Sequence, residues 1–403
     1  MNLKAVVFIF LLVGVVLFGS FMVYGLVRDR TFVSANPPPI EDYIVSEMLK
    51  RWIPEGDDLQ NERGVEFTPD ERMEEPDAQG VVLADTTNGF CAGADVANFD
   101  CYELHYQNLV TEEGLDRAME DIKSRYQTNS YVRSQCHPLM HVIGRTSYLL
   151  FPSVHEAFAG GDPFCWSGHH HGVMEAVISE TGLSGLPDVI DSICDGIPGK
   201  NSYSFDYYNC LHGLGHGVMA VTNTELFDSL AQCDGLSGEW EEKSCASGVF
   251  MENVIVDGKN HFTKYLKGLD DPHYPCDVSP EKYKHTCYLM QTSYMLKIDN
   301  GDFQKTFEWC SEAELAYRTT CYASLGRDAS GRSISDVTRT IAWCSLATDR
   351  AQLENCIIGA AKDFVSYHHS DSQANHLCDA VQDEEVRLVC HSTVEGYYKT
   401  FGA

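Results

Sequence analysis

The sequence predicts an all-α fold: a right-handed α-solenoid of disulfide-linked helical hairpins, in repeats of about 34–45 residues, behind an N-terminal transmembrane helix. Three observations carry this expectation. Most cysteines fall into two interleaved, evenly stepped series, no segment sustains strand alternation, and residues 5–27 run without a charge.

Taken from the N-terminus, the apolar run AVVFIFLLVGVVLFGSFMVYGLV follows Lys4 and precedes Arg28 and Arg30. It is long enough to span a bilayer, whereas the apolar region of a secretory signal is about 7–15 residues. Residues 1–30 are therefore read as a membrane anchor. The small residues Val33-Ser34-Ala35 keep a cleaved signal as the alternative. Residues 31–88 read as an acidic, proline-containing stalk, with Pro37-Pro38-Pro39 as a stiff segment and Ile40 to Trp52 as a short amphipathic helix within it.

The repeats follow, divided here into His-rich N-terminal repeats (89–235) and C-terminal repeats (236–403). One cysteine series is Cys194, Cys233, Cys276, Cys310, Cys344 and Cys378; the other is Cys210, Cys245, Cys287, Cys321, Cys356 and Cys390. In the C-terminal half each step is 34 or 35 residues, the length of one helix–turn–helix unit. Helix punctuation agrees. Ser279-Pro280-Glu281 reads as a cap followed by proline in the first turn, Asn300-Gly301 as a break, Thr348 as a cap, and Asp383 as the start of a last helix over 384–401.

The simplest pairing staples the end of helix A to helix B within each unit. That joins Cys194 to Cys210, Cys233 to Cys245, Cys276 to Cys287, Cys310 to Cys321, Cys344 to Cys356 and Cys378 to Cys390. Cys91 with Cys101 and Cys136 with Cys165 complete eight bridges. A competing pairing joins helix B of one unit to helix A of the next, as in Cys321 with Cys344, and sequence alone leaves the choice open. Sixteen cysteines, an even set with no CxxC spacing, argue against zinc ribbons, thioredoxin-type motifs and c-type haem attachment. They argue for an oxidising compartment, so the large C-terminal part is expected on the extracytoplasmic side.

At the level of period and cysteine placement, residues of about 130–403 resemble the Sel1-like and tetratricopeptide repeat proteins. The resemblance implies stacked helical hairpins with a concave face that takes a protein or peptide partner. Nucleic acid is not an expected partner, because 59 acidic against 29 basic residues give a net charge of −30.

The repeat supplies an internal control for the histidines. Six residues after each helix-B cysteine, from Cys165 onward, stand His171, His216, Met251, Ser293, Arg327, Lys362 and Gly396. The scaffold therefore does not require histidine in that slot, and its use in the first units points to chemistry. His212 and His216 share a helix face, as do His137 and His141, unless Pro138 turns His137 away. His169, His170 and His171 form a triplet. Neutral imidazoles from consecutive helices suit a transition metal: zinc for three histidines, iron or manganese if a carboxylate joins, copper(I) if Met174, Met219 or Met251 contributes. The candidate ligands are His137, His141, His170, His171, His212 and His216, and Glu175 is a weaker candidate as ligand or general base. Gly168, Gly172, Gly213, Gly215 and Gly217 in the same helices mark either tight helix packing or close approach by a ligand. No nucleophile elbow, phosphate-binding loop, dinucleotide fingerprint or HExxH string is present. Three functions remain open: a membrane-anchored extracytoplasmic protein that binds a transition metal, a hydrolytic or oxygen-using metalloenzyme at the same histidines, and an interaction scaffold whose histidines only pack.

Overall fold

The computed structural model describes Cys91 and residues 99–254, 263–333 and 335–401. The anchor and stalk lie outside the described residues. Among those residues there are sixteen α-helices and no strand, and no helix is long and apolar enough to cross a membrane.

In chain order the helices are α1 (Phe99–Glu113), α2 (Leu115–Thr128), α3 (Ser130–Ser134), α4 (Cys136–Tyr148), α5 (Val154–Ala159), α6 (Phe164–Val189), α7 (Phe205–Val221), α8 (Leu226–Cys233) and α9 (Glu239–Val254). They continue as α10 (Glu281–Ile298), α11 (Phe303–Glu312), α12 (Arg318–Ser333), α13 (Val337–Cys344), α14 (Arg350–His368), α15 (Ser372–Ala380) and α16 (Glu384–Phe401). Long B helices alternate with short A helices or loops. The B helices α4, α6, α7, α9, α10, α12, α14 and α16 each pack on the next in that order.

All sixteen described cysteines are paired, in the within-unit arrangement: Cys91–Cys101, Cys136–Cys165, Cys194–Cys210, Cys233–Cys245, Cys276–Cys287, Cys310–Cys321, Cys344–Cys356 and Cys378–Cys390. From Cys194–Cys210 onward each bridge fixes the first turns of a B helix against the segment before it, while Cys136–Cys165 joins the starts of α4 and α6 and Cys91–Cys101 ties down the start of α1.

Two of the expected caps are displaced. Thr348 is not the cap of α14; Asp349 accepts from the Gln352 amide at 2.9 Å, and Thr348 instead donates to the Gln352 side chain at 3.1 Å. Ser279 bonds back to the Pro275 carbonyl, so Pro280 stands at the cap position of α10. Asp383 does open α16, accepting from the Val386 amide at 3.1 Å.

The glycines explain how the B helices come so close. A Cβ on Gly144 would fall on the His169 carbonyl oxygen, and one on Gly172 would fall on that of His141. Gly215 and Gly248 stand in the same reciprocal relation between α7 and α9, and Gly326 and Gly359 between α12 and α14. These helices meet backbone to backbone, which only glycine allows. Of the two readings of the helical glycines, packing is the one the structure carries, since Gly326 and Gly359 recur with no histidine in reach.

The end of the succession touches its beginning. Tyr367 of α14 lies 5.5 Å from Trp166 and joins the apolar cluster of α1, α2 and α4, while Phe205 at the start of α7 lies 6.0 Å from Phe401 and 6.2 Å from Tyr397 of α16. In the slot six residues after the B-helix cysteine, every side chain from His171 to Lys362 is buried, and Gly396 is exposed.

Candidate metal centre

α4, α6 and α7 lie side by side and bring five histidines together. Pro138 sits in the first turn of α4, where its missing amide costs nothing, and leaves His137 and His141 stacked one turn apart on the face toward α6. α6 enters differently. Cys165, Trp166 and Ser167 are left-handed, with φ of 48°, 64° and 57°, so the regular helix begins at Gly168. Such residues cost of order 1–3 kcal/mol each and persist where the surroundings hold them. Here the Cys136–Cys165 bridge holds the turn, and the turn aims the Cys165 carbonyl at His137.

Four imidazoles have their Nδ1 atoms occupied. His137 Nδ1 lies 2.9 Å from the Cys165 carbonyl oxygen and His141 Nδ1 lies 2.6 Å from Glu175 Oε1. His216 Nδ1 lies 2.6 Å from Glu252 Oε2, and His212 Nδ1 lies 2.7 Å from Ser247 Oγ. A carbonyl and a carboxylate only accept. Ser247 Oγ also reaches the Ser244 carbonyl at 2.6 Å and the Tyr208 hydroxyl at 2.8 Å, and it accepts from His212 when its own proton goes to that carbonyl. A neutral ring that donates from Nδ1 has an unprotonated Nε2 free to bind a metal.

Those Nε2 atoms face one another: His137 to His141 at 3.0 Å and His212 to His216 at 3.1 Å. Two lone pairs at that distance repel unless a cation or a proton lies between them. Burial disfavours a proton. It pushes the pKa of His141 down despite the neighbouring Glu175 carboxylate, and pushes His171 well down with help from the surrounding imidazoles. A tetrahedral ion with metal–nitrogen bonds of about 2.0–2.1 Å needs its nitrogens about 3.3 Å apart. The observed spacings are within a few tenths of an ångström of that.

His171 stands between the two pairs. Its ring centre is 5.2 Å from His137, 5.4 Å from His141, and 5.1 Å from both His212 and His216. Ligand atoms of His137, His141 and His171 lie within 4.8 Å of one another, as do those of His171, His212 and His216. Glu175, His216 and Glu252 form a third such group. Met251 Sδ lies 3.2 Å from His212 Nε2. All five histidines are at most 5% exposed.

Glu175 does not hang free as a general base. It accepts from His141 and, at 2.5 Å, from Arg145. Burial alone would raise its pKa, but the opposing pull of His141 and Arg145 holds it below the usual carboxylate range. This is how metal-ligating histidines are oriented and made more basic. His170 stands apart from the other candidates. As the neighbour of His171 on a helix it points some 100° away, stacks on Phe158 at 4.1 Å, and has its pKa pushed by burial to about 3. His169 also turns aside, to Ser147 Oγ at 2.9 Å, with burial taking its pKa to about 4.

Sequence reasoning missed Glu252, Ser247 and the Cys165 carbonyl. A signal for Glu252 existed: it follows His216 by 36 residues as Glu175 follows His141 by 34, one repeat step in each case.

Replacing Glu175 or Glu252 with glutamine should weaken metal binding about 10–100-fold while leaving the helices intact, as for other partners of metal-bound histidines. Competition against a chelator of known affinity reads this directly; unchanged affinity in both variants would remove the carboxylates from the site.

No family model, no curated protein and no solved structure matches this chain.

Proposed function

We propose that this protein binds transition-metal ions through His137, His141, His171, His212 and His216, on an extracytoplasmic domain tethered to a membrane by residues 1–30 and a stalk over 31–88. The observation that carries the reading is the pair of Nε2–Nε2 contacts at 3.0 and 3.1 Å between rings whose Nδ1 atoms already have partners. Eight disulfides suggest an oxidising environment and leave no described cysteine free as a ligand. Nitrogen donors suit zinc, copper or iron, and Met251 beside His212 adds a soft donor that favours copper.

Burial favours binding over catalysis. Closed coordination is the mark of a structural or storage site, whereas a catalytic ion keeps an open position. With the five histidines at most 5% exposed, a substrate has little access to them from solvent. In this reading the B helices of 89–235, together with α9, form the metal-binding part, and the later repeats of 236–403 are a stapled extension of the same α-solenoid, whose surface is available to a protein or peptide partner.

Metal analysis of untagged protein, with and without a chelator, tests the reading. Tightly held metal and a melting temperature that falls on chelation are expected; no metal and an unchanged melting temperature would leave the histidines as packing residues. Gly172→Ala supplies a second check. Its Cβ would displace the His141 carbonyl, so it should weaken zinc binding as well as cost about 1–3 kcal/mol. Gly359→Ala carries the same clash against Ala323, far from the histidines, and should cost stability alone.

A further inference from the structure

By the helices they come from, the histidines fall into two pairs, and the pairs also meet: the ring centres of His141 and His216 are 5.3 Å apart. In the first, α4 contributes His137 and His141, and Glu175 of α6 holds one of them. In the second, α7 contributes His212 and His216, and Glu252 of α9 holds one of them. Each half ends in two converging Nε2 atoms and lacks a third nitrogen of its own. His171 belongs to both triads and is nearly equidistant from all four rings.

His171 also differs from the other four in its hydrogen bonding. It is fully buried, and among the described residues neither its Nδ1 nor its Nε2 has a hydrogen-bond partner. A neutral imidazole carries a donor at one nitrogen and an acceptor at the other, and leaving a buried one unsatisfied costs about 1–3 kcal/mol. One metal ion would satisfy one nitrogen and orphan the other. Two ions, one in each half, satisfy both.

We propose that His171 is a bridging imidazolate between two metal ions, one held with His137 and His141 and the other with His212 and His216. This deepens the metal-binding reading and depends on it. On binding the second ion, the ring's remaining N–H bond is replaced by a metal–nitrogen bond and the proton leaves to solvent. The ions then sit about 6 Å apart, two metal–nitrogen bonds of about 2 Å plus the span of the ring. The halves are not equivalent, since only the second has a thioether at hand, Met251.

The test uses the described domain within the full chain, stripped of metal and titrated with zinc(II), then separately with copper(II). Zinc should saturate at two ions per chain. With two copper(II) ions bound, exchange through the imidazolate should couple the spins, so that the integrated paramagnetic resonance signal falls well below two spins per chain. His171→Ala should restore an uncoupled signal and weaken zinc at both halves at least tenfold. Should that variant misfold, His212→Ala with His216→Ala removes only one half, and should bind one zinc ion and show one uncoupled copper spin. Saturation at one ion would overturn the bridge while leaving metal binding intact. Two zinc ions with uncoupled copper would overturn it as well, and no bound ion would overturn both readings.

Discussion

Reducing all eight disulfides should unfold this domain at room temperature in the absence of metal. The bridges close eight loops that do not overlap, with separations from 10 to 29 residues. In the chain-entropy account a loop of that size contributes about 3 kcal/mol, so eight together contribute about 24 kcal/mol. Net stabilities of natural domains are only about 5–15 kcal/mol. The short A helices α8, α11, α13 and α15 have between eight and ten residues, too few to persist without tertiary support. A single bridge can be isolated: Cys310→Ser with Cys321→Ser should cost about 3 kcal/mol and lower the melting temperature by roughly 6–12 °C. Melting that is unchanged in strong reductant would show that helix packing suffices and that the staples are incidental.

Acid should also destabilise the metal-free protein, though less than reduction does. Burial lowers the pKa of His169 to about 4, of His170 to about 3 and of His285 to about 4. In the unfolded chain each titrates near 6.5. Above that value both states are neutral at these positions and stability is at its full level. As pH falls below 6.5 the unfolded state takes up protons that the folded state refuses, and stability drops until the folded values are reached. At pH 5 the cost is about 2 kcal/mol for each histidine. Thermal melts between pH 7.5 and 5 should therefore show a fall of roughly 10 °C or more. His285 contacts Thr320 and is not one of the proposed ligands, so a flatter slope in His285→Gln would assign one share of the effect. A melting temperature that rose on acidification would contradict the burial of these rings.

The scaffold was unusually legible because the cysteines are spaced by the fold itself. A repeat of 34 residues sets the hairpin length and narrows the later cysteines to two pairings, within or between units, and helix starts such as Glu384 followed from an acidic cap at Asp383. The error of one residue at Thr348 arose where two neighbouring polar side chains could cap one helix end, and that at Ser279 where its hydroxyl turned back to the Pro275 carbonyl, neither of which local sequence resolves. The histidine site was half legible. Spacing of four residues places His137 with His141 and His212 with His216 on common helix faces, but the rotation of α6 depends on the left-handed turn at Cys165 to Ser167, and nothing in the residue types there announces it. That turn decides that His171 faces inward and His170 faces Phe158. Glu252 was hidden among many acidic residues, because a carboxylate gains meaning only once its partner is known. The contacts of Tyr367 and Phe401 with the first units were invisible to a period, which describes neighbours and not the return of a chain to its start.

The central claim is that the paired Nε2 atoms hold metal, and crystals grown with zinc test it most directly. Anomalous diffraction collected on either side of the zinc absorption edge should give a peak about 2.0–2.1 Å from the Nε2 atoms of His137 and His141, and a second beside those of His212 and His216. Peaks only among surface carboxylates, with the two Nε2 pairs bare, would contradict the account.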